Sequence, residues 1–114
     1  VNKDVLMKFE DLLDVYFQSE QSPNEKLPTV KYFADKVNLS SNYFGDLIKK
    51  ETGKTAQEYI QGKIINIAKE RILASEKTVS EIAYELGFQY PQHFTRIFKK
   101  VVGCTPTEYR VIQV

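Results

Sequence analysis

Thr78-Val79-Ser80-Glu81-Ile82-Ala83-Tyr84-Glu85-Leu86-Gly87-Phe88 is the stretch that decides the fold. Ile82, Ala83 and Leu86 stand at helical spacing and line one face of a short helix. Thr78, with Glu81 three residues on, is a capping box that marks where the helix begins. Gly87 supplies a left-handed turn that a β-carbon would resist, and Phe88 plugs the corner. A second helix follows a short polar link, apolar at Phe94, Ile97 and Phe98 and polar at Gln92, Thr95, Arg96 and Lys99. Helix, glycine turn and amphipathic helix make a helix-turn-helix, whose second helix can enter a DNA major groove.

The pattern occurs twice. Residues 30–39 match residues 79–88 at an offset of 49, pairing Val30 with Val79, Phe33 with Ile82, Ala34 with Ala83, Val37 with Leu86 and Leu39 with Phe88. Asn38 stands where Gly87 does, and asparagine also visits the left-handed region cheaply. After one extra residue in the second turn the offset becomes 50. It then pairs Phe44 with Phe94, Leu47 with Ile97, Lys49-Lys50 with Lys99-Lys100, Gly53 with Gly103, Thr55 with Thr105 and Glu58-Tyr59 with Glu108-Tyr109. Generic amphipathicity would match the apolar positions but not the lysine pair, the glycine and the Glu-Tyr. The chain contains an internal duplication, with too few copies for a solenoid.

Outward from these motifs, residues 4–19 carry Val5, Leu6, Phe9, Leu12, Leu13, Tyr16 and Phe17 as a wide apolar stripe of helical period. That stripe predicts a packing helix covering the first motif, with a connector to an absent sensor domain or a dimer seam as the functional alternative. Gln18 to Pro28 is polar with two prolines and predicts a loop. Thr29 and Ser40 are placed as caps for helices over about 30–37 and 41–52, and Gly53 is placed to end the second. Thr55 with Glu58 is another capping box, opening a long helix to about Ala74. Tyr59, Ile60, Ile64, Ile67, Ala68 and Ile72 wrap more than one of its faces, which suits a helix wedged between two subdomains. Thr105-Pro106-Thr107-Glu108 opens a last short helix with proline at its first position. No alternating strand pattern appears. The expected fold is all-α, about seven helices, with residues 1–54 carrying the first motif, 55–76 the connecting helix and 77–114 the second motif.

The 114 residues make one domain or two small units, and the net charge is only +1. The distribution says more than the total. Residues 1–26 hold three lysines against six acids, whereas residues 27–114 hold thirteen basic residues against nine acids. The positive bias is confined to the segment with the two motifs. A lone cysteine, Cys104, excludes an internal disulfide framework, suits a reducing cytosol, and reads as a small buried thiol. No spanning helix, signal peptide or glycine-rich phosphate loop is visible. His93, the only histidine, has no sequence link to Cys104, and the chain has too few Cys and His for a zinc site. No catalytic residue, metal ligand or cofactor is expected. Val1 in place of Met suggests an excised fragment with a sensor or dimerisation domain missing upstream.

The exposed faces of the two second helices carry the chemistry. The first offers Ser41, Asn42, Tyr43, Gly45, Asp46 and Lys49; the second offers Tyr90, Gln92, His93, Thr95, Arg96 and Lys99. Arg, Gln and Asn pair with base edges bidentately, while Lys, Ser and Thr serve phosphates.

Glu81-Ile82-Ala83, Gly87-Phe88, Phe94, Arg96, Phe98-Lys99, Gly103 and Thr105 to Arg110 together resemble the signature of AraC/XylS-type transcriptional regulators. The first motif, with Ala34, Leu39-Ser40, Leu47 and Lys50-Glu51-Thr52-Gly53, resembles its counterpart there. The resemblance implies a DNA-binding domain of two helix-turn-helix subdomains on one long helix, from a cytoplasmic regulator that often touches RNA polymerase. Its base-reading positions fall on Gln92, Thr95 and Arg96 in the second motif and on Asn42, Gly45 and Asp46 in the first. Gly45 and Asp46 depart from the family pattern, as do Ile64 and Ile65 where basic residues are frequent. Arg96→Ala is expected to weaken DNA binding, and Asp46→Ala to cost little or to tighten it. Two other classes compete: a protein-interaction module on the same fold, and an enzyme using Cys104 as an alkyl acceptor.

Overall fold

The structure is a computed structural model that describes residues 2–18 and 27–112. Among the described residues there are seven α-helices and no strand: α1 Asn2–Gln18, α2 Val30–Lys36, α3 Ser41–Thr52, α4 Ala56–Ala74, α5 Val79–Glu85, α6 Pro91–Val102 and α7 Pro106–Ile112. The loop expected from Gln18 to Pro28 lies outside the described residues except at its ends.

The described residues fall into two compact units, and the chain passes from one to the other inside α4, between Gln61 and Gly62. The first unit holds α1, α2, α3 and the opening of α4; the second holds the rest of α4 with α5, α6 and α7. Each therefore contains a leading helix, a helix-turn-helix pair and a closing helical segment.

The expected start and stop signals work as hydrogen bonds. Thr29 accepts from the Tyr32 N–H, Ser40 from the Tyr43 N–H and Thr78 from the Glu81 N–H, each at 3.1 Å. Three capping boxes close reciprocally: the Glu58, Glu81 and Glu108 carboxylates accept from the N–H groups of Thr55, Thr78 and Thr105 at 2.9, 3.0 and 2.8 Å. At the other ends, Gly53 and Gly103 take φ of 77° and 100°, and their N–H groups donate to the carbonyls of Lys49 and Lys99. Inside the motifs, Gly87 turns at φ 102° and Asn38 at φ 59°, so asparagine does in the first copy what glycine does in the second.

Each unit is packed around phenylalanine. In the first, Phe9 of α1 meets Phe33 at 5.1 Å and Phe44 at 5.0 Å, both edge to face. All three rings are fully buried, so α1 covers the first motif. In the second, Phe94 meets Phe88 at 5.2 Å and Phe98 at 5.8 Å, and Phe98 meets Tyr109 of α7 at 5.6 Å. Such ring pairs add about 0.5–1.5 kcal/mol each beyond the area they bury.

Polar contacts fasten the outer helices. The Tyr59 hydroxyl donates to Glu10 at 2.7 Å, tying α4 to α1. Burial, followed by that carboxylate, pushes the phenol up to about 12. In the second unit the Arg110 guanidinium donates to the carbonyls of Ile72, at 3.0 Å, and Ser75, satisfying groups that the end of α4 leaves without helical partners. Arg71 and Lys77 both pair with Glu85, holding the α4–α5 turn against α5. Cys104 departs from expectation: it is only half-buried, because the turn after Gly103 leaves it at the surface between α6 and α7. Ile64 and Ile65 are fully buried, which explains why neither is basic.

Candidate nucleic-acid interface

In α6 the buried set is Phe94, Ile97 and Phe98, and the opposite face presents Gln92, Thr95, Arg96 and Lys99. These recur at i, i+3, i+4 and i+7, so they form one stripe of the helix. Gln92, Arg96 and Lys99 are exposed, while Thr95 is half-buried. Among the described residues no hydrogen bond or ion pair ties Gln92 or Arg96 to the protein. Both side chains project from the helix with their donors unpaired among the described residues. Lys99 and Lys100 stand in the last turn, near the negative end of the helix dipole.

Tyr90 and His93 flank the stripe. Tyr90 is 61% exposed, so its ring is available at the entry of α6. His93 is exposed and lies edge-on to Phe88 at 5.4 Å, which fixes the imidazole beside the turn. Two residues that sequence reasoning missed join this surface. Ser80 and Tyr84 of α5 are exposed and line an open cleft of about 690 Å³ with Gln92, Thr95, Arg96 and Lys99. Their signal was present: they sit on the face of α5 opposite Ile82 and Ala83.

α3 repeats the geometry with different chemistry. Phe44, Leu47 and Ile48 are buried, and Asn42, Gly45, Asp46 and Lys49 fall at i, i+3, i+4 and i+7 on the other side. Ser41, Asn42, Asp46 and Lys49 are exposed, and Tyr43 is 53% exposed, so neither Tyr43 nor Tyr90 is spent on packing. Asp46 and Lys49 cancel in charge, whereas Arg96 and Lys99 add. The openings also differ: Ser40 caps α3 with its hydroxyl, while Tyr90 makes no side-chain cap and Pro91 follows it. The structure thus brings the expected residues together as two faces, one on each unit.

Among the described residues there is no cluster of His, Cys, Asp or Glu that could hold a metal, and no helix is long and apolar enough to cross a membrane.

Comparison with known proteins gives the same frame. A family described as "Helix-turn-helix domain" matches residues 33–111. The chain is 36% identical over 78 residues, 67% of its length, to the Bacillus subtilis protein YesN, described as an uncharacterized transcriptional regulatory protein. It spans 21% of YesN, and 11% and 34% of two further B. subtilis regulators, YtdP and YobQ. Among solved structures, the C-terminal domain of the two-component response regulator yesN from Fusobacterium nucleatum superposes with a TM-score of 0.73 at 30% identity, covering 89% of this chain and 96% of that one. The DNA-binding domain of AdpA, solved in complex with a target DNA, shares the fold with a TM-score of 0.75 at 18% identity, covering 91% and 90%. Two helix-turn-helix copies built on one plan, matched along most of their length, place this chain in the AraC-type helix-turn-helix family.

Proposed function

We propose that this chain binds duplex DNA sequence-specifically as the DNA-binding portion of a cytoplasmic transcription regulator, with α3 and α6 as its reading helices. One observation carries most of the weight. Gln92, Thr95, Arg96 and Lys99 form an outward stripe on a helix that follows a helix-turn, and neither Gln92 nor Arg96 has a hydrogen bond or ion pair among the described residues. Arg96 is suited to a guanine edge and Gln92 to an adenine edge. Tyr90, His93 and Thr95 border them, and Lys99 serves phosphate. On α5, the Ser80 hydroxyl and Tyr84 suit the backbone beside the groove, where the first helix of such a pair crosses. In the first unit Asn42, Tyr43 and Asp46 take the base-side places and Ser41 and Lys49 the phosphate side.

Successive major grooves on one face of B-DNA repeat every ~34 Å, and we place the two reading helices in adjacent grooves of one asymmetric site. A sensor or dimerisation region elsewhere in the full-length protein, and RNA polymerase, are the further partners of this reading. No residue is assigned to catalysis or to a cofactor.

Selection of bound duplexes from a random pool, followed by footprinting and a salt titration, tests the proposal. A protected, non-palindromic site of about two turns, with affinity falling steeply as salt rises, is the expected result. A flat salt response with no enriched sequence would reject it in favour of a protein-interaction module, the reading to which Asp46 and the net charge of +1 lend weight.

A further inference from the structure

α1 turns Phe9 and Leu13 into the first unit, where both are buried. That packing does not account for its opposite side. Met7 and Val15 are each 63% exposed, and with Asp4, Lys8, Asp11 and Leu12 they line an open groove of about 450 Å³ along the helix. Asp4, Lys8, Asp11 and Val15 recur at intervals of four, three and four residues, the spacing of a seam between two helices. Lys8 and Asp11 form the centre of that seam. Both are exposed, and among the described residues neither has a hydrogen bond or ion pair.

The order of these charges selects the occupant. A lysine and an aspartate one turn apart are complementary to a copy of themselves only when that copy is reversed. Parallel pairing would set Lys8 against Lys8 and Asp11 against Asp11, and both contacts repel. An antiparallel two-fold pairing sets Lys8 against Asp11 of the second copy, and the axis repeats the pair, as an isologous contact requires. We propose that the outward face of α1 is a self-association surface. Its occupant is the α1 of a second copy of this chain, antiparallel and held at its centre by two Lys8–Asp11 ion pairs. Met7, Leu12 and Val15 lose water along the same seam. The contact is small. Its 17 residues make a helix roughly 25 Å long and about 10 Å wide, so the two faces together cover roughly 500 Å². Stable interfaces begin near ~1,200 Å², so the pairing is weak at micromolar concentration and forms where copies are held close together. It does not depend on the DNA-binding reading above.

Analytical ultracentrifugation of the chain at low salt tests this, with a reductant present to keep Cys104 out of disulfides. The apparent mass should rise toward that of a dimer between about 20 μM and about 1 mM, and the rise should shrink at about 0.5 M salt, which screens the ion pairs. Lys8→Glu and Asp11→Lys should each stay monomeric alone, because each sets like charges across the axis. An equal mixture of the two should associate again. Both positions are exposed, so the substitutions leave the fold in place, and recovery in the mixture separates lost pairing from lost folding. A parent that stays monomeric at about 1 mM overturns the proposal. So does a Lys8→Glu variant that associates as well as the parent, or a mixture of the two variants that does not recover.

Discussion

α3 and α6 occupy the same place in two copies of one plan, yet they agree only on their inward sides. Phe44, Leu47 and Ile48 match Phe94, Ile97 and Phe98, and both helices stop at a left-handed glycine. Outward, Gly45 and Asp46 stand opposite Thr95 and Arg96. The inward positions answer to close packing, which tolerates little change in volume or polarity. The outward ones answer only to what they touch, and so drift apart once two copies touch different things. A duplicated fold can thus keep its scaffold while its two outward faces diverge.

The most severe way to probe that shared scaffold is to empty it. Phe44→Ala and Phe94→Ala each remove a fully buried ring and should each cost about 3–5 kcal/mol in chemical denaturation. If either cost less than about 1 kcal/mol, the two cores would not be equivalent.

Next in size is the asymmetry of the surfaces. Arg96→Ala should weaken binding to a selected duplex by about 1–3 kcal/mol and relax preference at one base pair, whereas Lys99→Ala should weaken all duplexes alike and flatten the salt dependence. Uniform weakening by Arg96→Ala would move it from base to phosphate. Smaller again is the difference in helix starts. Ser40→Ala removes the hydroxyl that caps α3 and should cost about 1 kcal/mol of stability, while Tyr90→Ala removes no cap hydrogen bond. Equal costs in thermal melts would show that capping does not distinguish the two helices.

Acid probes the capping boxes. Backbone and side-chain hydrogen bonds from Thr78 and Thr105 hold the Glu81 and Glu108 carboxyls, both in the second unit, below the usual carboxylate range. A carboxyl lowered on folding binds protons more weakly in the native state. Its contribution is therefore present above its unfolded value and lost as pH falls through the folded one. The Glu81→Gln, Glu108→Gln double variant should show a flatter loss of stability than the parent between about pH 5 and pH 3. A parallel curve would remove these boxes from the acid response.

The smallest expected effect on affinity is that of Asp46→Ala. The lost acceptor and the lost repulsion of phosphate oppose each other, so total affinity should change little while preference at one base pair relaxes. A sharp loss of all binding would show the carboxylate to be essential to the seat of α3.

Most of the architecture was legible because its signals are local. A capping threonine and its glutamate lie three residues apart, and a phenylalanine at helical spacing says which side is inside. The offsets of 49 and 50 made each copy a check on the other. What escaped depends on chain-distant neighbours. That Arg110 reaches back to the carbonyls of Ile72 and Ser75 cannot be read from spacing, nor can the bond from Tyr59 to Glu10. Cys104 looked like a core thiol by residue type, but the turn that carries it keeps it half-exposed. Ser80 and Tyr84 lie on the first helix of the motif, and only the folded turn brings them beside Gln92 and Arg96. Gly45 was legible as a departure from the family pattern, and the structure adds that a β-carbon there would meet no atom within 4 Å.

The first turns of α4 and the whole of α7 are the same segment twice, each opened by a threonine–glutamate box and each carrying a tyrosine against its own core. In α4 that segment runs on to become the leading helix of the next copy. The fold is therefore a tile whose end is also a beginning, and it can be concatenated. Grafting residues 62–112 after Val111 would extend α7 as α4 already extends the first copy, giving a three-reader chain without a designed linker. Circular dichroism and denaturation of that concatemer would show whether helix content grows by one full copy.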